Sequence, residues 1–194
     1  MKTQEKLNYL AINTAGGIEI LLRIGGEYYF SCHDDVATQV LPHINELLLK
    51  AGAKIEDIDV LGVCVGPGSF TGIRVGLSTI KAMGYALNKP IVSVTYFDVL
   101  AYDYDGGMDE LTVIIDGKNQ VSYLKNSDDE GLCIKNEDIK KHALKNVVYD
   151  SEYKGRGLGR VMDKKIAEGE FLSYEKVLPL YLRKSQPERQ DGEI

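Results

Sequence analysis

Cysteine is scarce in this 194-residue chain: Cys32, Cys64 and Cys133 stand far apart, with no C-x-x-C pair among them. Such a set excludes a disulfide framework or a zinc knuckle as the basis of the fold. Nowhere do apolar residues run to the ~20 that a membrane-spanning helix needs, and the apolar stretch near the N-terminus is too short for a signal peptide. A cytoplasmic protein without membrane contact is expected. Basic charge is also in short supply: 23 Lys and Arg face 29 Asp and Glu, a net charge of −6. Tight nucleic-acid binding draws on Lys and Arg displacing counterions, so a direct high-affinity grip on RNA is not expected.

What remains is ordinary globular composition, 44% hydrophobic and 27% charged, with charge sparse before residue 100 and dense after it. The Tyr/Asp/Gly-rich stretch 102–110 breaks both the helical and the strand period, and marks a boundary between residues 1–102 and 103–194. In the first part, residues 8–14 and 18–24 read as strands about the turn Ala15-Gly16-Gly17, and 27–32 as a third antiparallel strand after Gly25-Gly26. Residues 35–52 place Val36, Val40, Ile44, Leu47 and Leu48 at helical spacing and stop at Gly52, with Pro42 implying a kink or a late start. Residues 60–65 are a short apolar run suited to a strand covered on both faces. A second helix over 71–87, a buried strand over 91–94 and a short helix capped by Thr95 and Asp98 complete the order β-β-β-α-β-α-β-α. That order fits an actin-like lobe and other α/β sheets equally. After the boundary, 111–116 and 119–125 read as a hairpin and 160–169 as a short helix, a reduced second lobe with a polar tail.

The densest signal is the loop of Gly66, Pro67, Gly68, Ser69, Phe70 and Thr71, continued by Gly72, Ile73 and Arg74, between a buried strand and a helix. Glycine permits sharp turns and close approach, and Ser69 or Thr71 can cap the helix, whose exposed amides suit an anion. The nucleotide motifs do not match. A P-loop needs a Lys after its last glycine, and a dinucleotide fingerprint needs a third glycine where Thr71 stands. Spacing alone favours a capped strand-to-helix turn. G-P-G-S-F is not the G-x-S-x-G elbow of a serine hydrolase either. Cys64 reads as a small core side chain, and His33 and His43 as solvated surface. Lys164, Lys165, Arg156 and Arg160, with Asp163 and two glutamates among them, likewise read as a solvated face.

The run from Gly66 to Val94 resembles the signature of the bacterial TsaB (YeaZ) family, G-P-G-S-F-T-G-[IL]-R-[IV]-G. Residues 10–15, 39–48 and 179–186 resemble its opening strand, its L-L-P-x-I-x-x-L-L helix and its C-terminal P-x-Y-L-R. The resemblance implies an actin-like (ASKHA) α/β fold with a smaller, reduced C-terminal lobe. It also implies a subunit without catalytic residues, metal or cofactor of its own, in the complex that makes N6-threonylcarbamoyladenosine at position 37 of tRNA. The implied partners are TsaD, its catalytic paralogue, and TsaE, an ATPase. The chain would pair with itself when TsaD is absent and meet tRNA only through the complex. Asn13 stands where the family and its fold relatives keep Asp, and of an acidic pair in the second lobe only Asp116 remains, with Lys118 and Gln120 replacing Arg and Glu. The nucleotide cleft marked by Asn13 and Asp116 is thus expected to be degenerate, because a neutral amide cannot supply charge to hold hydrated Mg²⁺. The rival readings are an ATP-dependent, kinase-like enzyme of the same fold and a free-standing regulatory homodimer. The two first-lobe helices carry more apolar and small residues than one buried face requires. The partner surface is therefore assigned to Leu41, Ile44 and Leu48 on the first helix, and to Gly72, Ile73, Gly76, Leu77, Ile80 and Met83 on the second.

Overall fold

The computed structural model describes residues 7–33, 39–106, 110–126, 130–142 and 144–183. Val36 and most of the polar tail, both named above, lie outside the described residues. Strands β1 (Tyr9–Asn13), β2 (Ile18–Ile24), β3 (Glu27–His33), β4 (Val60–Cys64) and β5 (Ile91–Val94) form one sheet in the order β3-β2-β1-β4-β5. β1 pairs antiparallel with β2, Ile12 opposite Ile20, and parallel with β4, Ile12 opposite Val63. Helices α1 (Val40–Lys50), α2 (Phe70–Leu87) and α3 (Tyr96–Asp103) fall where the sequence pattern puts them. The element order is the expected β-β-β-α-β-α-β-α.

All five residues of β1 are buried, because the sheet is covered on both faces. Leu10 and Ile12 pack with Ile20, Leu22, Ile44, Leu47 and Ile80 under α1 and α2. Tyr9 and Ala11, one residue out of phase, pack on the other face with α3 and with α4 (Gly157–Glu168), through Leu158, Val161 and Met162. The strand period of two thus sorts each residue to its layer. Pro42 sits in the first turn of α1, where a missing N–H costs nothing, so the helix starts late rather than kinks. Thr95 and Asp98 form the reciprocal cap of α3, at 3.0 and 3.1 Å.

The second sheet, β8-β7-β6-β9, is built from β6 (Thr112–Asp116), β7 (Val121–Asn126), β8 (Leu132–Lys135) and β9 (Val147–Tyr149). Its inner residues Val113, Ile115, Tyr123 and Val148 join the same cluster that holds α3 and α4 to the first sheet. The end of the chain then returns to the first sheet. Leu172 and Ile91 exchange two backbone hydrogen bonds, Leu180 N–H donates to Val65 O at 2.8 Å, and Val177 is fully buried beside α2. Among the described residues after position 102, β6–β9 form the second sheet, while α4 and the segment 171–182 pack on the first.

The glycine loop is spent on this architecture. Gly66 O accepts from Tyr96 N–H at 2.7 Å, and Ser69 N–H donates to Ala15 O at 2.8 Å. Ser69 Oγ caps α2 by accepting from Gly72 N–H at 3.2 Å. The first turns of α2 press on the end of β1 so closely that a Cβ on Gly72 would lie 2.0 Å from Thr14 O, and one on Gly76 2.2 Å from Thr14 Oγ1. Gly72 and Gly76 therefore face the sheet, which corrects their assignment to the partner surface, and Ile73 and Ile80, 1% and 0% exposed, are core residues for the same reason. Leu77, 8% exposed, belongs with them.

Replacing Gly72 by Ala should thus lower stability by about 2 kcal/mol or more, since a backbone carbonyl has to give way. Thermal denaturation tests it, and an unchanged melting temperature would remove the close approach from the account.

Candidate functional site: a helical groove and a filled cleft

Between α1 and α2, away from the sheet, lies an open hollow of about 480 Å³. Leu41, Ile44, Asn45 and Leu48 line it from α1, Thr79, Ala82, Met83, Ala86 and Leu87 from α2, and Ile55 closes one end. Apart from Asn45 and Thr79 the lining is apolar. Leu41 and Leu49 leave 59% and 70% of their surface exposed. Of the residues the sequence pattern assigns to a partner surface, Leu41, Ile44, Leu48 and Met83 come together here. Ala82, Ala86 and Leu87 were not among them, and alanine carries little signal in a pattern count. α2 thus has three faces: the glycine and isoleucine face on the sheet, the alanine and methionine face on the groove, and a third under the chain's return. On that third face Phe70 stacks on Tyr181 at 4.8 Å between ring centroids, Arg74 Nε donates to Tyr181 Oη at 3.1 Å, and Lys81 Nζ donates to Val177 O at 3.0 Å. The signature loop and the C-terminal motif, about a hundred residues apart in sequence, meet there.

Asn13 and Asp116, expected from the sequence to mark a nucleotide cleft, are each held by neighbouring groups. Asn13, at the end of β1, is buried; its amide Nδ2 donates to Glu19 Oε2 at 3.0 Å and its Oδ1 accepts from Ala15 N–H at 3.1 Å. Glu19 Oε1 accepts from the hydroxyl of Tyr153, which comes from the loop before α4. Burial pushes the Glu19 carboxyl up to about 7, against the pull of the Tyr153 and Asn13 hydrogen bonds, and the nearby Asp103 raises it further. Tyr96 packs edge-on to Tyr153, and its hydroxyl lies 2.9 Å from where a Gly16 Cβ would stand. Two tyrosine rings and a buried amide–carboxylate pair therefore occupy the space beside the β1–β2 turn. Asp116 is exposed at the end of β6 and held by Lys118 Nζ at 2.7 Å, which keeps its carboxyl below the usual range. Among the described residues the carboxylates of this region are tied to protein groups: Glu19 to Asn13 and Tyr153, Asp116 to Lys118, and Asp150 to the N–H of Asp116 at 3.1 Å.

Two smaller readings are settled by geometry. Burial pushes the Cys64 thiol far above its ordinary value, as suits a core side chain. His33 and His43 are not solvated surface, for their rings stack at 3.5 Å and 7° between the end of β3 and α1.

With this geometry the chain can be set beside known proteins. The family model described as TsaD: tRNA N6-adenosine threonylcarbamoyltransferase matches residues 11–173. The chain belongs to this family, and is of its TsaB/YeaZ type. It is 32% identical over 63 residues to the tRNA threonylcarbamoyladenosine biosynthesis protein TsaB of Haemophilus influenzae, covering 32% of this chain and 27% of that protein. With TsaB of Bacillus subtilis the identity is 29% over 100 residues, 49% of this chain and 44% of the relative. The matched stretches thus span less than half of either relative. The structure of YeaZ from Pseudomonas aeruginosa superposes with a TM-score of 0.78 at 21% identity, over 91% of this chain and all of that one. The fold is the actin-like one of the YeaZ structures, as the resemblance of the glycine loop implied.

The Asn13–Glu19 pair yields a sharp prediction. A carboxylate at position 13 would stand about 3 Å from that of Glu19, so Asn13→Asp should destabilise the protein above neutral pH by about 2 kcal/mol, and Glu19→Gln in the same chain should restore it. For wild type, the folded carboxyl near 7 against 4.5 unfolded means that the folded state binds more protons between those values. Its stability relative to the Glu19→Gln variant should therefore fall as pH rises across that window, and stay low above it. Melting curves between pH 5 and 8 read both effects; parallel curves for the two proteins would contradict the assignment.

Proposed function

We propose that the chain is a non-catalytic subunit in the formation of N6-threonylcarbamoyladenosine on tRNA, and that it holds a TsaD-type subunit through the groove between α1 and α2. The observation that carries this reading is the contrast between the two places where an actin-like protein could act. The cleft is filled by its own side chains, while the groove is open, apolar and walled by two rigid helices. Exposed apolar surface of this kind marks an interaction site. The partner's class is supported by the chain matching the TsaD model itself, since a partner built on the same lobe offers two equivalent helices. Four helices then close a seam in which Ala82, Ala86 and Met83 let the axes approach. The same surface would pair two copies of this chain around a two-fold axis when the partner is missing. TsaE belongs to the proposed assembly as its ATPase, and the groove contains nothing that selects it. The kinase-like alternative needs a bound Mg²⁺ and positioned charge, for which neither Asn13 nor Asp116 is arranged.

Leu41→Glu and Ala86→Glu test the groove without touching the core. Both side chains are exposed, and a glutamate in the first turn of α1 favours the helix dipole. Each variant should keep the wild-type melting temperature and lose TsaD capture at least tenfold, because the seam would bury an unpaired charge. Normal capture by both would place the interface elsewhere. Calorimetry with ATP and Mg²⁺ should show no binding in the micromolar range. Sub-micromolar binding with turnover that Asn13→Ala abolishes would make the chain an enzyme.

A further inference from the structure

The outer face of α4 carries a row of cations that its neighbouring carboxylates neutralise only in part. Arg156, Arg160 and Lys164 follow one another at four-residue intervals, about 6 Å apart along one side of the helix. Asp163, which stands among them in sequence, is turned to the first sheet, where Tyr9 Oη donates to it at 3.1 Å and Tyr28 Oη also donates. Glu170 is taken by Lys165 at 2.6 Å, and Glu168 lies 3.8 Å from Lys164. Asp103 is buried, its carboxylate accepting the N–H groups of Lys154, Arg156 and Gly157 at 2.6, 2.7 and 3.1 Å.

One surface carboxylate, Asp105, therefore serves three cations, with Arg156 Nη2 at 2.6 Å, Arg160 Nη1 at 3.2 Å and Lys154 Nζ at 3.7 Å. Each guanidinium is pinned through one terminal nitrogen, backed by the carbonyls of Asp103 and Tyr102. Among the described residues, the remaining N–H groups of both have no protein acceptor. Lys164 Nζ lies 5.4 Å over the half-buried ring of Tyr102, and Tyr104, which precedes Asp105 in the chain, is 38% exposed. Held guanidinium forks with free N–H groups, and one exposed aromatic ring nearby in the chain, suit a polyanion such as a nucleic-acid backbone.

We infer that this ridge, Lys154, Arg156, Arg160 and Lys164 with Tyr102 and Tyr104, contacts the phosphate backbone of RNA directly. The choice of RNA over an anionic membrane surface rests on the reading above that the chain acts in tRNA modification. On a chain of net charge −6 the contact is auxiliary, within the non-specific range of about 1–100 µM at physiological salt. It adds to a partner's grip rather than replacing it.

The test is fluorescence anisotropy with the full chain and an unmodified tRNA transcript, titrated from about 50 to 200 mM salt. Arg160→Gln with Lys164→Gln should weaken binding several-fold at the low-salt end and flatten the slope of log affinity against log salt by about 0.7–0.9 per cation removed. The pair Lys50→Gln with Lys54→Gln, on exposed residues elsewhere, should change neither. If the double variant has a lowered melting temperature, Lys164→Gln alone should give half the change in slope. TsaD capture should be untouched by these variants, whereas Leu41→Glu should lose the partner and keep the RNA. Unchanged affinity and slope in the ridge variants would overturn the inference. So would wild-type binding to phosphatidylglycerol vesicles as tight as to tRNA, which would make the ridge a membrane-facing patch.

Discussion

The contact on which this structure depends is the approach of the first turns of α2 to the end of β1. Thr14 Oγ1 donates to Gly72 O at 2.7 Å, and Gly68, Gly72 and Gly76 each stand where any Cβ would collide with Ala15 or Thr14. Because the helix cannot lift off the strand without losing these contacts, its axis is set by the backbone of Thr14 and Ala15 together with the short Thr14 side chain. Everything else on α2 inherits that position: the groove it makes with α1, the stack of Phe70 on Tyr181, and the return of residues 171–182 along its third face. The G-P-G-S-F-T-G run is thus a steric fit between a loop, a strand end and a helix. A phosphate cradle uses glycine for the same reason, close approach, which is why the motif alone does not separate the two uses.

The same end of β1 explains why the cleft and the groove have different characters. Asn13 is the residue before Thr14, and its amide matches the carboxylate of Glu19 across the β1–β2 pair. Tyr153 reaches in from the start of the α4 segment and completes the donors to Glu19, while Asp103 gathers the N–H groups at the entry to α4. These polar contacts join the first sheet, α3 and α4 into one packed body. On the opposite face of the sheet the described residues form no comparable network. There the helices carry leucine, alanine and methionine outward, and surface of that kind is stable in water only in limited amounts.

Much of the fold was legible in the sequence because its elements are local. The strand Ile18–Ile24 and the strand Ile91–Val94 match their apolar runs residue for residue, and α2 was placed within one residue by its cap and period. What was not legible depended on contacts distant in sequence. α4 begins at Gly157, three residues earlier than its apolar pattern suggests, because its N-terminal donors are satisfied by Asp103, some fifty residues upstream. β8 and β9 are too short and too exposed to alternate visibly, and exist because β7 and β6 offer them edges. The apolar half of the groove was legible from Leu41, Ile44, Leu48 and Met83. Gly72 and Gly76 misled because a small residue serves equally to bring a helix onto a sheet or onto another helix, and only the position of Thr14 decides between them. The ridge on α4 was hidden for the converse reason, since Asp163 counts against it in sequence but points away from it in space.

The central claim, that the chain works by holding a homologous partner at the α1–α2 groove, is tested most directly by backbone hydrogen exchange of the chain with and without a TsaD-type protein. The account requires new protection over residues 41–49 and 79–87, with the β1–β2 turn around Asn13 and Glu19 unchanged, since that region is already closed. Protection centred on the β1–β2 turn and Asp116, with the two helices exchanging as in the free chain, would contradict it.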